Sequence, residues 1–261
     1  MDKLKRIVVK VGTSTLTHET GSINLRQVEK LVRVIADLMN MGMEVVLVSS
    51  GAISVGVGEL GLAERPSDIR QKQALAAIGQ VSLMAIYDKF FKEYGYNTSQ
   101  VLLTKFVLDD DLRYNYARNA FETMIGYRVV PVVNENDVIS TYEIEFGDND
   151  TLSAYVAELV KADILVILSD IDGFYNGDPR DENSEIIPVV EEITEEIKSC
   201  ARGEGTRRGT GGMITKLRAA EFVCGHGIDM VIANGEKPEI LYDIVNKEKI
   251  RGTLFKGKTP K

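Results

Sequence analysis

The sequence has few of the residues on which several common catalytic and metal sites depend. It contains two cysteines, Cys200 and Cys224, and two histidines, His18 and His226. The cysteines form no CxxC pair and have no histidine at ligand spacing, so we expect neither a structural zinc site nor a disulfide framework. The histidines lie in a threonine-rich loop and between two glycines, which gives a Ser-His-Asp triad no support.

Long apolar runs and net positive charge are also lacking. Apolar stretches are short, such as Ile164–Leu168, far below the ~20 residues that span a bilayer. The apolar run after Lys3, Lys5 and Arg6 ends at Lys10, too soon for a secretory signal. Lysine and arginine number 31 against 39 acidic residues, a net charge of −8, which disfavours a broad nucleic-acid surface. We expect a cytoplasmic protein that binds neither membrane nor nucleic acid.

The 261 residues alternate between short apolar runs and longer amphipathic stretches. With 44% hydrophobic and 27% charged residues, the composition is that of a globular protein and excludes disorder. The pattern predicts an α/β fold, in which a mostly parallel open sheet is sandwiched by helices in three αβα layers. The predicted strands are 6–11, 44–49, 99–103, 129–133, 163–168 and 229–232. Ligands of such sheets lie beyond the carboxyl ends of the strands.

Several local signals refine this prediction. Asn24 is a good N-cap for an amphipathic helix that Gly42 closes. A long helix is expected from Asp68 to about Tyr94, with a candidate kink at Gly79. The period-2 alternation of 139–146 indicates a hairpin-like excursion.

Six polar loops follow the predicted strands or lead into helices. Lys10–Ser14 combines a lysine, a glycine and hydroxyls, as a polyanion site requires, although a strand-end lysine that simply reaches solvent is an alternative. The five glycines, two arginines and terminal lysine of Gly203–Lys216 are typical of a phosphate-binding loop, with a disordered linker as its alternative. The other four loops are 48–53, 134–137, 147–151 and 168–179.

Of two familiar nucleotide-binding motifs, one is matched outside its usual structural context and the other is absent. Gly56–Gly61 matches GxGxxG, but it does not directly join a strand to a helix, so we interpret it as a glycine-rich helix end. The Walker A pattern is missing because Leu217 follows Lys216. No HRD or DFG motif is present either, which excludes a P-loop NTPase and a protein kinase.

Taken together, the loops resemble the amino acid kinase family over nearly the whole chain. The resemblance is carried, in the family's order, by Lys10–Ser14, Ser50–Ile53, Asn134–Asp137, Gly147–Asp150 and Gly209–Met213. Asn-Glu-Asn-Asp followed closely by Gly-Asp-Asn-Asp resembles the branch whose members phosphorylate the side-chain carboxylate of L-glutamate with ATP, the first step of proline synthesis. Many members continue into a C-terminal PUA domain, whereas this chain stops at Lys261, so the free-standing form is expected.

The resemblance also implies a division of the chain and a role for each site residue. It implies one kinase domain over 1–261, with an acceptor-binding lobe at about 1–165 and a nucleotide-binding lobe at about 166–261. Lys10, Lys216 and Asp150 would be catalytic, with Asp150 orienting the two lysines. The acceptor would be bound by Ser50, Gly51, Asn134, Asp137, Asp148 and Asn149, with the aspartates on its ammonium and Asn134, Asn149 and Ser50 on its carboxylates. ATP would be held by Lys10, Gly12, Ser169, Asp170, Thr210, Gly211, Gly212, Met213, Ile214, Thr215 and Lys216, with Tyr175 and Asp178 as weaker candidates.

The same resemblance implies partners and leaves alternatives open. Mg²⁺ would bridge the phosphates through water and phosphate oxygens, so no metal ligand is expected from the protein. Proline is a possible feedback inhibitor, glutamyl phosphate reductase a possible partner, and a homo-oligomer is expected. The alternatives are a kinase for N-acetylglutamate or a nucleoside monophosphate, which Asp137 and Asp148 disfavour, and a non-catalytic ligand sensor, against which Lys10 and Lys216 count.

Overall fold

A single eight-stranded sheet crosses the protein. The computed structural model describes residues 4–107, 110–140, 149–181, 183–201, 212–248 and 250–258. The strands are Arg6–Val11 (β1), Glu44–Ser49 (β2), Thr98–Leu103 (β3), Val130–Glu135 (β4), Ile164–Ser169 (β5), Val189–Val190 (β6), Asp229–Asn234 (β7) and Gly252–Phe255 (β8). Their order is β3-β4-β2-β1-β5-β7-β8-β6. Only the β7–β8 pair is antiparallel among the described strands, which confirms the predicted mostly parallel sheet.

Helices cover both faces of the sheet. They are Thr13–Leu16 (α1), Leu25–Asn40 (α2), Ala52–Glu59 (α3), Ile69–Glu93 (α4), Asp111–Gly126 (α5), Asn149–Leu159 (α6), Glu195–Cys200 (α7), Met213–Gly225 (α8) and Ile240–Asn246 (α9), with a short 3₁₀ helix at Lys105–Val107. One hydrophobic cluster includes residues of α2, α4 and α9, and a second includes residues of α5, α6 and α8. These two clusters with the sheet between them are the three predicted αβα layers.

The alternation of side chains along β1 decides which layer each residue joins. Ile7, Val9 and Val11 belong to the cluster of α2 and α4, whereas Val8 belongs to the cluster of α6 and α8. Because successive strand residues point to opposite faces, Lys10 lies on the same face as Val8. The strand therefore directs the Lys10 side chain towards α6 and α8.

The predicted boundaries of the two long helices hold to within a residue or two, because their capping residues were visible. Asn24 Oδ1 accepts a hydrogen bond of 3.2 Å from the backbone N–H of Gln27 at the start of α2. Asp68 caps α4 in the same way. Gly42, after α2, has φ = 93°, a left-handed conformation that glycine adopts without strain. The predicted excursion at 139–146 lies mostly outside the described residues.

Gly79 does not interrupt α4, contrary to the prediction of a kink. It allows a close contact between two helices instead. The structure shows α4 as one helix from Ile69 to Glu93. A methyl group at Gly79 would collide with the backbone carbonyl of Ala52 in α3, and one at Gly56 would collide with the backbone of Leu75 in α4. The glycines that mimic a dinucleotide motif thus allow α3 and α4 to pack backbone to backbone.

The described part of the chain holds one helix, α4, that is long and apolar enough to cross a membrane by length and composition alone. A core helix passes the same test. Tyr87 and Phe91 of α4 are fully buried in the hydrophobic cluster shared with α2, which is the behaviour of a core helix.

We expect Gly79→Ala to destabilise the fold by roughly 1–3 kcal/mol, because an added methyl group overpacks the contact between α3 and α4. The helix preference of alanine over glycine, ~1 kcal/mol, acts in the opposite direction and is smaller. Gly126→Ala, at the end of α5, is the matched control, since no described atom lies within 4 Å of its added methyl group. The free energy of unfolding measured in urea decides it, and equal stability of Gly79→Ala and Gly126→Ala would contradict the packing account.

Candidate functional site

Three buried charges meet at the carboxyl ends of the central strands. Asp150, at the start of α6, lies with one carboxylate oxygen 2.6 Å from Lys10 Nζ and the other 3.0 Å from Lys216 Nζ. Asp150 is 1% exposed, and both lysines are 7% exposed. The structure thus brings together the three residues predicted to be catalytic, from β1, α6 and α8.

The electrostatics of this cluster are dominated by the two ammonium groups. Burial alone raises the pKa of Asp150, but the charges of Lys10 and Lys216 and their hydrogen bonds hold the pKa well below its usual range. The carboxylate is therefore ionised at neutral pH and compensates one of the two positive charges. The cluster retains one net positive charge in a desolvated place, which suits an anion that carries several negative charges.

The first turn of α8 also contacts the Asp150 carboxylate. Thr215 Oγ1 donates to Gly212 O at 2.8 Å or to Asp150 Oδ2 at 3.1 Å. Gly212 is the N-cap residue of α8, and the first backbone N–H groups of a helix have no partner within the helix. The turn Gly212–Lys216 therefore offers amide donors and a lysine beside Asp150. Met213 and Ile214 belong to the same turn.

Two glycines line the loops around this cluster. Gly12 follows β1, donates its N–H to Leu168 O at 3.3 Å, and would place a methyl group 3.9 Å from Lys10 Nζ. Gly51 precedes α3 with φ = 102°, which strains any residue with a side chain. The backbone at Gly12 therefore leaves room for a ligand near Lys10, whereas Gly51 faces Thr13, Leu16 and Thr17.

A network of buried side-chain amides lies beside the charge cluster. Asn149, next to Asp150, directs its amide NH₂ to Ser49 O, Ser50 Oγ and Asn134 Oδ1 at 3.1, 3.0 and 2.8 Å. Asn134 directs its own NH₂ to Gln80 Oε1 of α4 at 2.9 Å. The structure thus joins three predicted acceptor-site residues in one network, in which Asn149 and Asn134 already donate within the protein. That these residues bind the carboxylates of a substrate stays a prediction.

Two carboxyl groups form the acidic side of the site. Glu135 and Asp137 are 6% and 4% exposed, and each has one oxygen without a hydrogen-bond partner among the described residues. Burial, reinforced by the Glu135 carboxylate and opposed by Arg65, raises the pKa of Asp137 to about 7. Burial also raises the pKa of Glu135, against a hydrogen bond from Ser140. The pair is ready to receive a positively charged group.

Ser169 and Asp170, which are predicted to hold the nucleotide, lie at the end of β5. Ser169 ends β5, and its Oγ donates to Asp170 Oδ1 at 3.1 Å, while its carbonyl accepts from Gly235 N at 2.7 Å. Tyr175 forms an isolated β-bridge with Ile186. Asp178 is on the surface, where hydrogen bonds from Arg180 lower its pKa to about 2. The structure does not bring Tyr175 or Asp178 to the lysine cluster by any described contact.

Some predicted site residues fall outside the described ones, and others were missed. Asp148, Thr210 and Gly211 lie outside the described residues. Gln80 was missed because it lies inside a long amphipathic helix, where nothing marks it as a site residue. Glu135 was noticed only as part of a polar run, because the predicted strand ends at Val133 whereas β4 continues to Glu135.

Comparisons with known proteins find similar sequences over nearly the whole chain. Residues 5–234 match the amino acid kinase family. The chain is 60% identical over 259 residues to a protein named glutamate 5-kinase from Clostridium perfringens (strain 13 / Type A), covering 97% of this chain and 96% of that one. It is 54% identical to a glutamate 5-kinase from Thermoanaerobacter sp. (strain X514), covering 98% of this chain and 69% of that one. The crystal structure of a UMP kinase from Bacillus anthracis superposes with a TM-score of 0.63 over 99% of this chain and 98% of that one, and at 14% identity it shows the fold alone.

The stability of the protein should depend on pH because Asp137 is buried. Because its folded pKa is raised from 3.8 to about 7, the folded state binds more protons between those values, and stability falls as the pH rises. Asp137→Asn removes this penalty, so the variant should be more stable than the unmodified protein at pH 8, by ~2 °C or more in Tm. The difference should shrink at pH 5.

Thermal unfolding at pH 5, 7 and 8 checks this prediction. Asp181→Asn makes the same change at an exposed aspartate and is the matched control for the chemistry of the substitution. A Tm difference for Asp137→Asn that is the same at all three pH values would mean that Asp137 is ionised in the folded protein throughout.

Proposed function

The chain belongs to the amino acid kinase family, and we propose that it transfers the γ-phosphoryl group of ATP to the side-chain carboxylate of L-glutamate. The activity follows from the relatives named glutamate 5-kinase, which match nearly the full chain at 51–60% identity. The observation that supports it in the structure is the buried Lys10–Asp150–Lys216 cluster, which lies beside the amide network of Asn149 and Asn134.

The chemistry requires positive charge between two anions. A carboxylate that attacks a phosphoryl group is repelled until cations neutralise both partners, so positioning and electrostatics supply most of the catalysis. Lys10 and Lys216 approach Asp150 from two different elements, and we propose that they flank the moving phosphoryl group. Asp150 positions both ammonium groups and does not act as a base, since a carboxylate nucleophile carries no proton to remove.

The nucleotide side is proposed from the turn at the start of α8 and the end of β5. The N–H groups of the turn that starts at Gly212 suit phosphate oxygens, and Ser169 and Asp170 suit the remainder of the nucleotide. We propose that ATP enters with Mg²⁺, which neutralises phosphate charge. Asp150 already holds two ammonium groups, so the metal would be held mainly by phosphate oxygens and water, as Mg²⁺ commonly is.

The acceptor side is proposed from the buried polar residues at the end of β4. Asp137 suits the substrate's ammonium group, since an ion pair with a charged donor is stronger than a neutral hydrogen bond. This need for an ammonium group separates glutamate from N-acetylglutamate and from nucleoside monophosphates. The division into an acceptor lobe and a nucleotide lobe along one continuous sheet, meeting near residue 165, follows from the same placement.

Several wider expectations belong to this proposal. Proline, which shares an ammonium and an α-carboxylate with glutamate, would compete at the acceptor side, and the acyl phosphate product would pass to a reductase. A cytoplasmic homo-oligomer fits free Cys200 and Cys224 and exposed apolar side chains on α4, such as Val81 at 72%.

Release of ADP with L-glutamate as acceptor tests the function directly. The purified protein should release ADP with L-glutamate and Mg·ATP, and release should be far slower with N-acetylglutamate or with UMP. Equal or faster release with either alternative acceptor would overturn the proposed substrate. Binding of ATP and glutamate without ADP release would favour a sensor instead.

Lys216→Met should lower kcat by ~10²-fold or more, the scale for removing one transition-state electrostatic contact, and leave glutamate affinity nearly unchanged. Lys10 still pairs with Asp150 in this variant, so the fold is expected to hold. Lys198→Met, which removes a lysine paired with Glu221 on the surface, is the control and should keep full activity. Full activity of Lys216→Met would remove this lysine from the reacting centre.

A further inference from the structure

Four buried polar atoms around the amide network have no hydrogen-bond partner within the described part of the chain. They are Gln80 Nε2, Glu135 Oε1, Asp137 Oδ1 and Asn149 Oδ1. A buried polar group that is left without a partner costs ~1–3 kcal/mol, so a group of four in one region is suited to a bound polar ligand or to ordered water. One of them, Gln80 Nε2, is a donor, and the other three are oxygens.

A backbone N–H determines which end of the Gln80 side-chain amide is free. The N–H of Glu135 donates to Asn134 at 2.9 Å, and a backbone N–H can only donate, so the atom it meets on Asn134 is the amide oxygen. The NH₂ of Asn134 therefore faces Gln80 at 2.9 Å, and Gln80 must present its oxygen there. The NH₂ of Gln80 is then the end that remains free.

A second backbone group fixes Asn149 in the same way. Ser49 O, which can only accept, lies 3.1 Å from the Asn149 amide, so the atom that faces it is the NH₂. Asn149 is left with its oxygen free. The Ser50 hydroxyl oxygen accepts from Asn149 at 3.0 Å, which leaves the Ser50 hydrogen available to a ligand.

The long helix α4 is held so that Gln80 reaches this network. Gly79 allows α4 to approach α3 at the backbone of Ala52, and α3 begins directly after the loop that contains Ser50. Seven residues after Gln80, on the same face of the helix, Tyr87 OH lies 2.9 Å from Ser49 Oγ. Gln80 of α4 therefore contacts Asn134, and Tyr87 of the same helix contacts Ser49. These two contacts fix the position of α4 relative to the network.

These free atoms separate into a set that donates and a set that accepts. Gln80 NH₂ and Ser50 O–H donate, as a carboxylate requires. Asn149 Oδ1 and the carboxyl groups of Glu135 and Asp137 accept, as an ammonium group with three N–H bonds requires. An amino acid presents both groups, and the two sets are complementary to it.

We propose that Gln80 is a substrate-binding residue of the acceptor site, whose side-chain NH₂ donates to a carboxylate oxygen of the amino-acid substrate while its oxygen orients Asn134. This inference rests on the proposed function, since the substrate is the one assigned there. It adds a residue of α4 to a site otherwise built from strand ends and the starts of α3 and α6.

Gln80→Glu separates the two roles of the side chain. A glutamate at this position can still accept from Asn134, but its ionised form has no hydrogen to donate and repels a carboxylate. The KM for L-glutamate should rise ~10- to 100-fold, the scale for losing a hydrogen bond to a charged group, with the ATP KM within ~3-fold. Burial beside the substrate carboxylate should raise the pKa of a carboxyl group at position 80, and once protonated this group donates again. The ratio of the variant's glutamate KM to that of the unmodified protein at the same pH should therefore fall as the pH is lowered from 8 to 6, a comparison that cancels the protonation of Asp137, which both proteins share.

Two further variants complete the test. Gln71→Glu makes the same chemical change at an exposed position of α4 and should leave both KM values unchanged. Gln80→Met removes donor and acceptor without charge, so its glutamate KM should rise without the recovery at low pH. ADP release by the unmodified protein is measured first, and its failure would count against the proposed function rather than Gln80. A glutamate KM of Gln80→Glu within ~2-fold of the unmodified value, or equal increases in both KM values with no dependence on pH, would overturn the assignment of Gln80.

Discussion

The shared contact of Lys10 and Lys216 with the Asp150 carboxylate is the interaction on which the rest of the site depends. Each lysine would be costly to bury alone, and two together would repel each other. One buried carboxylate between them removes part of both penalties and leaves one net positive charge where three elements of the fold meet. The order of strands that places β1 between β2 and β5 makes this meeting possible.

The acceptor side follows a different principle, since it is built from hydrogen bonds with defined direction. Backbone groups of Glu135 and Ser49 determine which end of each side-chain amide is used within the protein and which end is free. The charge cluster thus attracts anions in general, whereas the amide network distinguishes a carboxylate from an ammonium group. In the proposed function, this separation would let one sheet edge bind a polyphosphate and an amino acid side by side.

The sequence predicts the fold class because its signals are local. Short apolar strands, the caps Asn24 and Asp68, and polar loops at strand ends depend on neighbours within a few residues. The short strands β6 and β8 were not predicted, since pairing with distant strands stabilises them more than their own pattern does. The role of Gly79 was misread for the same reason, because the backbone that it contacts is 27 residues away in α3. Gln80 is invisible to patterns of this kind, since a glutamine in a helix usually faces water.

A double-mutant cycle on kcat tests the central claim most directly, with Lys216→Met and Asp150→Asn made singly and together and assayed at saturating ATP and glutamate. If Asp150 acts by holding the lysines, Asp150→Asn should cost far less in the Lys216→Met background than in the unmodified protein, a coupling of ~1–3 kcal/mol. If Asp150→Asn lowers kcat by the same factor in both backgrounds, Asp150 acts independently of Lys216, and the account of a shared charge cluster is wrong.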